Sequence, residues 1–395
     1  MIDYRRAREI VLSQARSFGR EELRLEQAFG RVLSETIRSD RDYPPFPRAT
    51  MDGYALRAAD LERGIRKFRI VGAIYAGGLP DRSIGPGDCY RIMTGGAVPA
   101  SADTVIRRED VSEGGESIEL SAASWHPFQY IAAQGEDLAA GDPVIDSPCL
   151  CDPSIIGLLA TLGRTRVVVE RLPRVGLLTT GNEVVSVDAP VGPVEIRNTN
   201  RWFLEAALRK GGIIPAACTH AQDDPVLLRA ALESMLDNDL LILCGGVSAG
   251  DADHVPAVLE AVGSTKLFHK IAMRPGKPTW CGLGPGGKMI FALPGNPFST
   301  FVNMTLLVHP FLQACYGLRP SEPWSVPLGA PRKKRTPLDE FFPVHVHGSP
   351  VRADAVSLNS SGDIRLGRGA NALGLHPADS GDLAEGAGVG CYSLV

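Results

Sequence analysis

Residues 239–253 read DLLILCGGVSAGDAD, and this stretch decides the fold. Five consecutive apolar residues, Leu240 to Cys244, lie between Asp239 and a glycine pair, which predicts a strand buried on both faces. A polar loop follows with Ser248, Asp251 and Asp253, and then DHVPAVLEAVG (253–263), a short helix. Reading outward, the same unit recurs. RVGLLTTG (174–181) predicts a buried strand, and RNTNRWFLEAALRKGG (197–212) a helix that stops at glycine. IIPAACTHAQ (213–222) predicts a strand, and DDPVLLRAALESMLDN (223–238) a helix with an acidic, proline-led start. KLFHKIAM (266–273) and GKMIFALPG (287–295) add strands, and PFSTFVNMTLLVHPFLQACYG (297–317) a closing helix kinked at Pro310. This alternation predicts an α/β domain with a mostly parallel sheet and helices on both faces.

The chain has 395 residues, too many for one ordinary core, so other parts flank this one. Residues 3–18 predict a surface helix, and a second apolar segment, LEQAFGRVLSETI, follows. Three prolines within DYPPFPRATMDGYALR (42–57) then stop any helix. From about 54 to 135, KFRIVGAIYAG, DCYRIMTGG, DTVIRRED and ESIEL predict a β-rich insertion. DPSIIGLLATLG (152–163) predicts a short buried helix, with Asp152 as N-cap and Pro153 at the first helical position. From about 320, runs such as FFPVHVHG and AVSLNS predict a small β domain.

Composition excludes several classes. With 44% hydrophobic and 22% charged residues, the chain is not largely disordered. A net charge of −4 gives no general attraction to nucleic acid or anionic membrane. The longest stretch without Asp, Glu, Lys or Arg, 289–318, contains Pro294, Asn296, Pro297, Asn303, His309 and Pro310, so no membrane span is expected. MIDYRRAREI lacks the apolar core of a signal peptide, and the eight scattered cysteines suit reduced, buried thiols; both point to the cytoplasm. Neither G-x-G-x-x-G after a strand nor G-x-x-x-x-G-K-[ST] occurs. The run Arg332-Lys333-Lys334-Arg335 reads as a solvated loop, and His345 and His347 share one face of a strand without forming a metal site alone.

In an open parallel sheet, ligands bind beyond the carboxyl ends of the strands. Four polar loops are expected there: TTGNEV with Glu183, AQDDP with Asp223, GGVSAGDAD with Ser248 and Asp253, and LPGNP with Pro294, Asn296, Pro297 and then Ser299. Gly245 and Gly246 let backbone N–H groups approach an anion, and PGNP opens a helix whose first N–H groups lack partners. KIAMRPGKP brings Lys270, Arg274 and Lys277 to the same end. Carboxylates beside anion loops and cations suit a phosphate-bearing ligand with Mg²⁺. Asp224 reads as an N-cap before Pro225 and is left out of the site.

Taken together, these residues resemble the molybdopterin molybdenumtransferases, the bacterial proteins related to the E domain of gephyrin. The resemblance rests on AFGRVLSETI, RATMDGYALR, RIMTGGAVPASADTVIRRED, GEDLAAGDPVI, LLTTGNEV, NTNR, DDP, GGVSAGDAD, MRPGKP and LPGNP, in the family's order along nearly the whole chain. It implies an elongated, four-part protomer that forms a homodimer: 1–45 with 138–171, a β-rich insertion at 46–137, a molybdopterin-binding α/β domain at 172–318, and a β domain at 319–395. It also implies the reaction, in which adenylylated molybdopterin and molybdate give molybdenum cofactor with Mg²⁺-dependent release of AMP. The family's functional positions fall on Asp52, Thr94, Glu183, Asp223, Asp253, Lys270, Arg274, Lys277, Pro294 and Pro297, with Glu183, Asp223 and Asp253 as metal ligands. Asp52 and Thr94 would serve the cleft of the partner subunit. Further partners implied are the molybdopterin adenylyltransferase and cofactor-accepting enzymes. The chain departs from the family at Asn182, where Asp is frequent, at Arg274, where Lys is frequent, and at Phe342-Pro343, where relatives often carry an arginine. A tungstate-handling paralogue and a non-catalytic cofactor scaffold are the alternative readings.

Overall fold

The computed structural model describes residues 1–121, 124–248 and 253–394, so Asp251 lies outside the described residues. The chain divides into two compact units. One comprises Met1–Ser34, Pro148–Ile156 and Arg166–Val395, the other Glu35–Ser147 and Gly157–Thr165.

The first unit is built on a six-stranded sheet in the order Ala217–Ala221, Val175–Thr180, Leu240–Cys244, Met289–Leu293, Trp280–Leu283, Thr265–His269. The first four strands are parallel neighbours; Trp280–Leu283 runs antiparallel to both of its neighbours. The sheet is therefore mostly parallel, as its apolar runs imply. Residue alternation sends successive side chains to opposite faces. Leu177, Ile242 and Phe291 pack with Leu204, Leu208 and Phe298 on one face. Leu178, Leu241, Leu243 and Ile290 pack with Leu228, Leu232, Val255 and Leu259 on the other. Both faces are thus covered, which is why the strands read as unbroken hydrophobic runs.

The helices start and stop where the sequence directs. Asn198 caps Thr199–Lys210 by accepting from the Arg201 N–H at 3.0 Å. Asp224 caps Pro225–Glu233 through the Val226 and Leu227 N–H groups, each at 2.9 Å. The closing helix runs Pro297–Asn303, widens into a π-turn over Met304–Val308, and resumes at His309–Cys315. Pro310 has no N–H to donate back, and the wider turn absorbs that loss within the helix. The same unit carries an N-terminal helix, Tyr4–Ser13, capped by Asp3. Its C-terminal sheet has the order Met273–Arg274, Asp339–His347, Ala372–His376, Gly388–Ser393, Trp324–Pro327, with Arg352–Ala355 on the edge of Asp339–His347. Arg274 pairs in parallel with Glu340, so the turn after Met273 is stitched to this sheet.

One expectation changes. DPSIIGLLATLG does form a helix, Pro153–Thr161, with Asp152 accepting from the Ile155 N–H at 2.9 Å. It is not buried: Leu159 is its one buried residue, because only one side faces protein. Arg20–Arg24 is a strand, paired antiparallel with Arg166–Glu170. The second unit centres on a six-stranded sheet, in the order Thr104–Arg107, Gly53–Leu56, Asp88–Ile92, Lys67–Ile74, Ser117–Leu120, Val111–Gly114. Among the described residues, no helix is long and apolar enough to cross a membrane.

Candidate active site

The parallel register lines up strand ends. Thr180 pairs with Ala221, Thr179 with Cys244, and Cys244 with Leu293. The loops that follow therefore share one rim, at the point where the chain order reverses between Val175–Thr180 and Leu240–Cys244. A cavity of about 890 Å³ opens there, lined by Glu183, Asp223, Gly245, Gly246, Ser248, Asp253, Pro294, Asn296 and Pro297, among others.

Backbone conformation explains the glycines. Gly245 and Gly246 have φ of +104° and +62°. A Cβ on Gly245 would lie 2.6 Å from Thr180 Oγ1 and 2.8 Å from the Thr180 carbonyl oxygen. Only glycine lets the loop cross the end of the neighbouring strand so closely. Thr180 Oγ1 itself is buried without a hydrogen-bond partner among the described residues. The loops are also tied to each other. The Asp223 N–H donates to Asn182 Oδ1 at 3.0 Å, and the Asn182 N–H donates to Asp223 Oδ2 at 3.3 Å. Asn200 Nδ2 donates to the Gly295 carbonyl at 2.6 Å, and Asn198 Nδ2 to Thr179 Oγ1 at 2.8 Å. Asn182 thus holds two loops in register.

Among the described residues, no three His, Cys, Asp or Glu side chains form a group able to hold a metal ion by themselves. Glu183, Asp223 and Asp253 line the same cavity without making a ready cage, since Asp223 is engaged with the Asn182 backbone. Cys244 also lines the cavity; burial pushes its thiol up to about 12, so it stays neutral and is no nucleophile.

A second cavity, of about 970 Å³, shares Pro278, Pro294 and Asn296 with the first. Arg274, Lys277 and Ser299 line it, together with Arg332, Lys333, Lys334 and Arg335. The RPGKP turn that presents Arg274 and Lys277 is held from beneath. Gly276 has a φ of +100°, and its carbonyl lies 2.7 Å from Thr279 Oγ1, which in turn lies 2.8 Å from Asn303 Oδ1. Thr279 and Asn303 are fully buried, so this polar pair fixes the turn to the closing helix. Lys270 lines neither cavity. It follows the strand Thr265–His269 with a φ of +73°, and its backbone is bonded to Thr279 and Ile2.

The Arg332–Arg335 run is not a solvated loop. Arg332 and Lys334 are half-buried, and Arg332 makes a 2.9 Å ion pair with Glu340. Local charge density could not show this, because the partners Glu340 and Phe342 come from the following strand. Val191, Ile196 and Ile364 also line the first cavity, and no sequence signal marked them.

Asp52 and Thr94 belong to the second unit, where they form a close pair. Asp52 Oδ1 accepts from the Thr94 N–H and from Thr94 Oγ1, both at 2.7 Å. The Thr94 backbone bond first, then the hydroxyl, hold the Asp52 carboxyl below the usual aspartate range.

Comparison with known proteins gives a consistent answer. The family described as "MoeA N-terminal region (domain I and II)" matches residues 2–163, and "Probable molybdopterin binding domain" matches residues 176–314. A molybdopterin molybdenumtransferase of Synechocystis sp. is 30% identical over 92% of this chain and 92% of its own length. One of Bacillus subtilis is 32% identical over 92% of this chain and 87% of its own length. The solved molybdopterin biosynthesis moeA protein of Pyrococcus horikoshii superposes with a TM-score of 0.82 at 30% identity, covering 100% of this chain and 99% of that one. On the shared rim, the ordered motifs and these relatives, the chain belongs to the MoeA family of molybdopterin molybdenumtransferases.

Proposed function

We propose that this chain transfers molybdate to adenylylated molybdopterin and releases AMP. The observation that carries this reading is the pair of cavities with a common wall at Pro278, Pro294 and Asn296. One has glycine-rich anion loops and carboxylates; the other has a cluster of cations. A ligand with phosphates and a planar heterocycle fits the first, and a small oxyanion fits the second.

The chain's residues have separable tasks. Gly246 and Ser248 offer a backbone N–H and a hydroxyl to a phosphate, whereas the Gly245 N–H is spent on the Leu293 carbonyl at 3.0 Å; in the first turn of the closing helix the Phe298 N–H is likewise engaged by the Ser361 carbonyl at 3.0 Å, which leaves that of Ser299. Arg274 and Lys277 hold molybdate and offset its repulsion from the phosphates. Holding the two reactants together supplies much of the rate. Glu183, Asp223 and Asp253 would hold Mg²⁺ jointly with substrate phosphates, which suits an ion that takes only one or two protein carboxylates. When bound, the ion supplies charge neutralisation at the phosphoanhydride that breaks. No covalent enzyme intermediate is needed, in keeping with a neutral Cys244 thiol.

We further propose a cytoplasmic homodimer in which Asp52 and Thr94 of one copy complete the cleft of the other. The motive is that both match functional positions of the family although they lie in the other unit of the chain. The test mixes Asp52→Ala chains with Asp253→Asn chains. Under subunit exchange, mixed dimers should regain about one working site of two, as two-fold symmetry dictates. No recovery of AMP release would refute the shared cleft.

A further inference from the structure

The four cations of residues 332–335 are split by alternation along an extended segment. Arg332 and Lys334 turn inward and serve the fold. The Arg332 guanidinium pairs with Glu340 and lies 4.1 Å from the centre of the Phe342 ring. Lys334 Nζ donates to the carbonyls of Leu338 at 2.8 Å and His376 at 2.9 Å. Lys333 and Arg335 turn outward. Both are exposed, both line the second cavity, and neither side chain has an ion-pair or hydrogen-bond partner among the described residues. Arg274 and Lys277 are exposed on the same lining and equally unpaired.

Four unpaired cations on one lining repel each other unless an anion joins them. Among the described residues, the one carboxylate on that lining, Glu340, is already engaged by Arg332, Thr336 and the Arg335 N–H. Another source of positive charge, Arg365, is occupied: its guanidinium straddles Asp363, with contacts of 2.5 and 3.0 Å. The cavity is therefore a focus of positive potential whose walls also carry the small donors Ser357, Ser360 and Ser361. A concave, cationic site lined by hydroxyls suits a doubly charged tetrahedral oxyanion.

We propose that Lys333 and Arg335 are capture residues of this cavity: they draw the tetrahedral oxyanion in and share it with Arg274 and Lys277. This rests on the reading that the second cavity serves molybdate.

The test is molybdate binding to the full-length protein, measured by calorimetry at several salt concentrations. It compares wild type, Lys333→Gln/Arg335→Gln, and the charge-keeping Lys333→Arg/Arg335→Lys. The Gln double variant should bind molybdate about ten- to thirtyfold more weakly and show a flatter salt dependence, with adenylylated molybdopterin affinity unchanged. The charge-keeping variant should bind molybdate nearly as wild type, which separates charge from folding. Equal molybdate affinity and equal salt dependence for the Gln double variant would overturn the proposal, as would a wild type that binds no molybdate. A wild type that binds molybdate in this charge-dependent way yet releases no AMP would refute the proposed reaction and leave the capture residues standing.

Discussion

Replacing Gly245 with alanine tests whether the rim depends on one close backbone approach. The added Cβ would lie 2.6 Å from Thr180 Oγ1 and 2.8 Å from the Thr180 carbonyl oxygen. That carbonyl belongs to a central strand, so it cannot swing aside as a flexible side chain would. The φ of +104° adds its own cost of about 1–3 kcal/mol for a residue with a Cβ. Forcing an extra methyl into a packed site costs about 1–3 kcal/mol more. The total is on the order of 2–6 kcal/mol, relieved only by moving the Gly245–Ser248 loop. A displacement of about 1 Å at a reacting centre is enough to lower a rate by about a hundredfold. Gly263→Ala is the control, since Gly263 has a φ of +83° with nothing within 4 Å of its built Cβ. It should lower stability by about 1 kcal/mol and leave AMP release alone. Thermal unfolding and single-turnover AMP release on both variants decide the matter. A Gly245→Ala protein as stable and active as Gly263→Ala would refute the close-approach argument.

Three further outcomes follow from the same geometry. Asp253→Asn should slow AMP release by the equivalent of about 2–4 kcal/mol while changing pterin binding far less, and wild-type turnover in this variant would remove Asp253 from the reaction. Lys277→Ala should raise the molybdate concentration for half-maximal rate about ten- to a hundredfold at saturating adenylylated pterin; an unchanged value with weakened pterin binding would assign Lys277 to the pterin phosphate. Thr94→Val should move the Asp52 carboxyl titration, followed by NMR, upward toward the ordinary aspartate range, because it removes one of two donors. As the folded value is depressed, the stabilisation from this contact is present above the ordinary range and is lost as pH falls through the folded value, and an unmoved titration would contradict the hydroxyl's part in it.

The rim was legible because it follows from local pattern alone. Buried apolar runs ending in Gly-Gly, Asp-Asp-Pro or Pro-Gly-Asn-Pro mark strand ends, and parallel pairing then brings those ends together. Where the structure departs, the deciding contact is distant in sequence. Arg20–Arg24 reads REELR, with no strand signal of its own, and becomes a strand because Arg166–Glu170 lies beside it. Gly53–Leu56, wholly buried, lies within the stretch 42–57, whose prolines signal only that a helix stops. The basic run of residues 332–335 looks solvated until Glu340 and Phe342 fold back upon it. Lys270 sits only four residues before Arg274, yet it lines neither cavity. Val191, Ile196 and Ile364 carry no motif, because aliphatic side chains that line a cavity look in sequence like any others.

The measurement that bears most directly on the proposed reaction is incubation of the purified protein with adenylylated molybdopterin, Mg²⁺ and molybdate, with AMP and molybdenum cofactor both quantified. AMP should appear in step with cofactor, depend on molybdate and be abolished by chelating Mg²⁺. Tight binding of the adenylylated pterin with no AMP released, with molybdate and Mg²⁺ both present, would contradict that reaction.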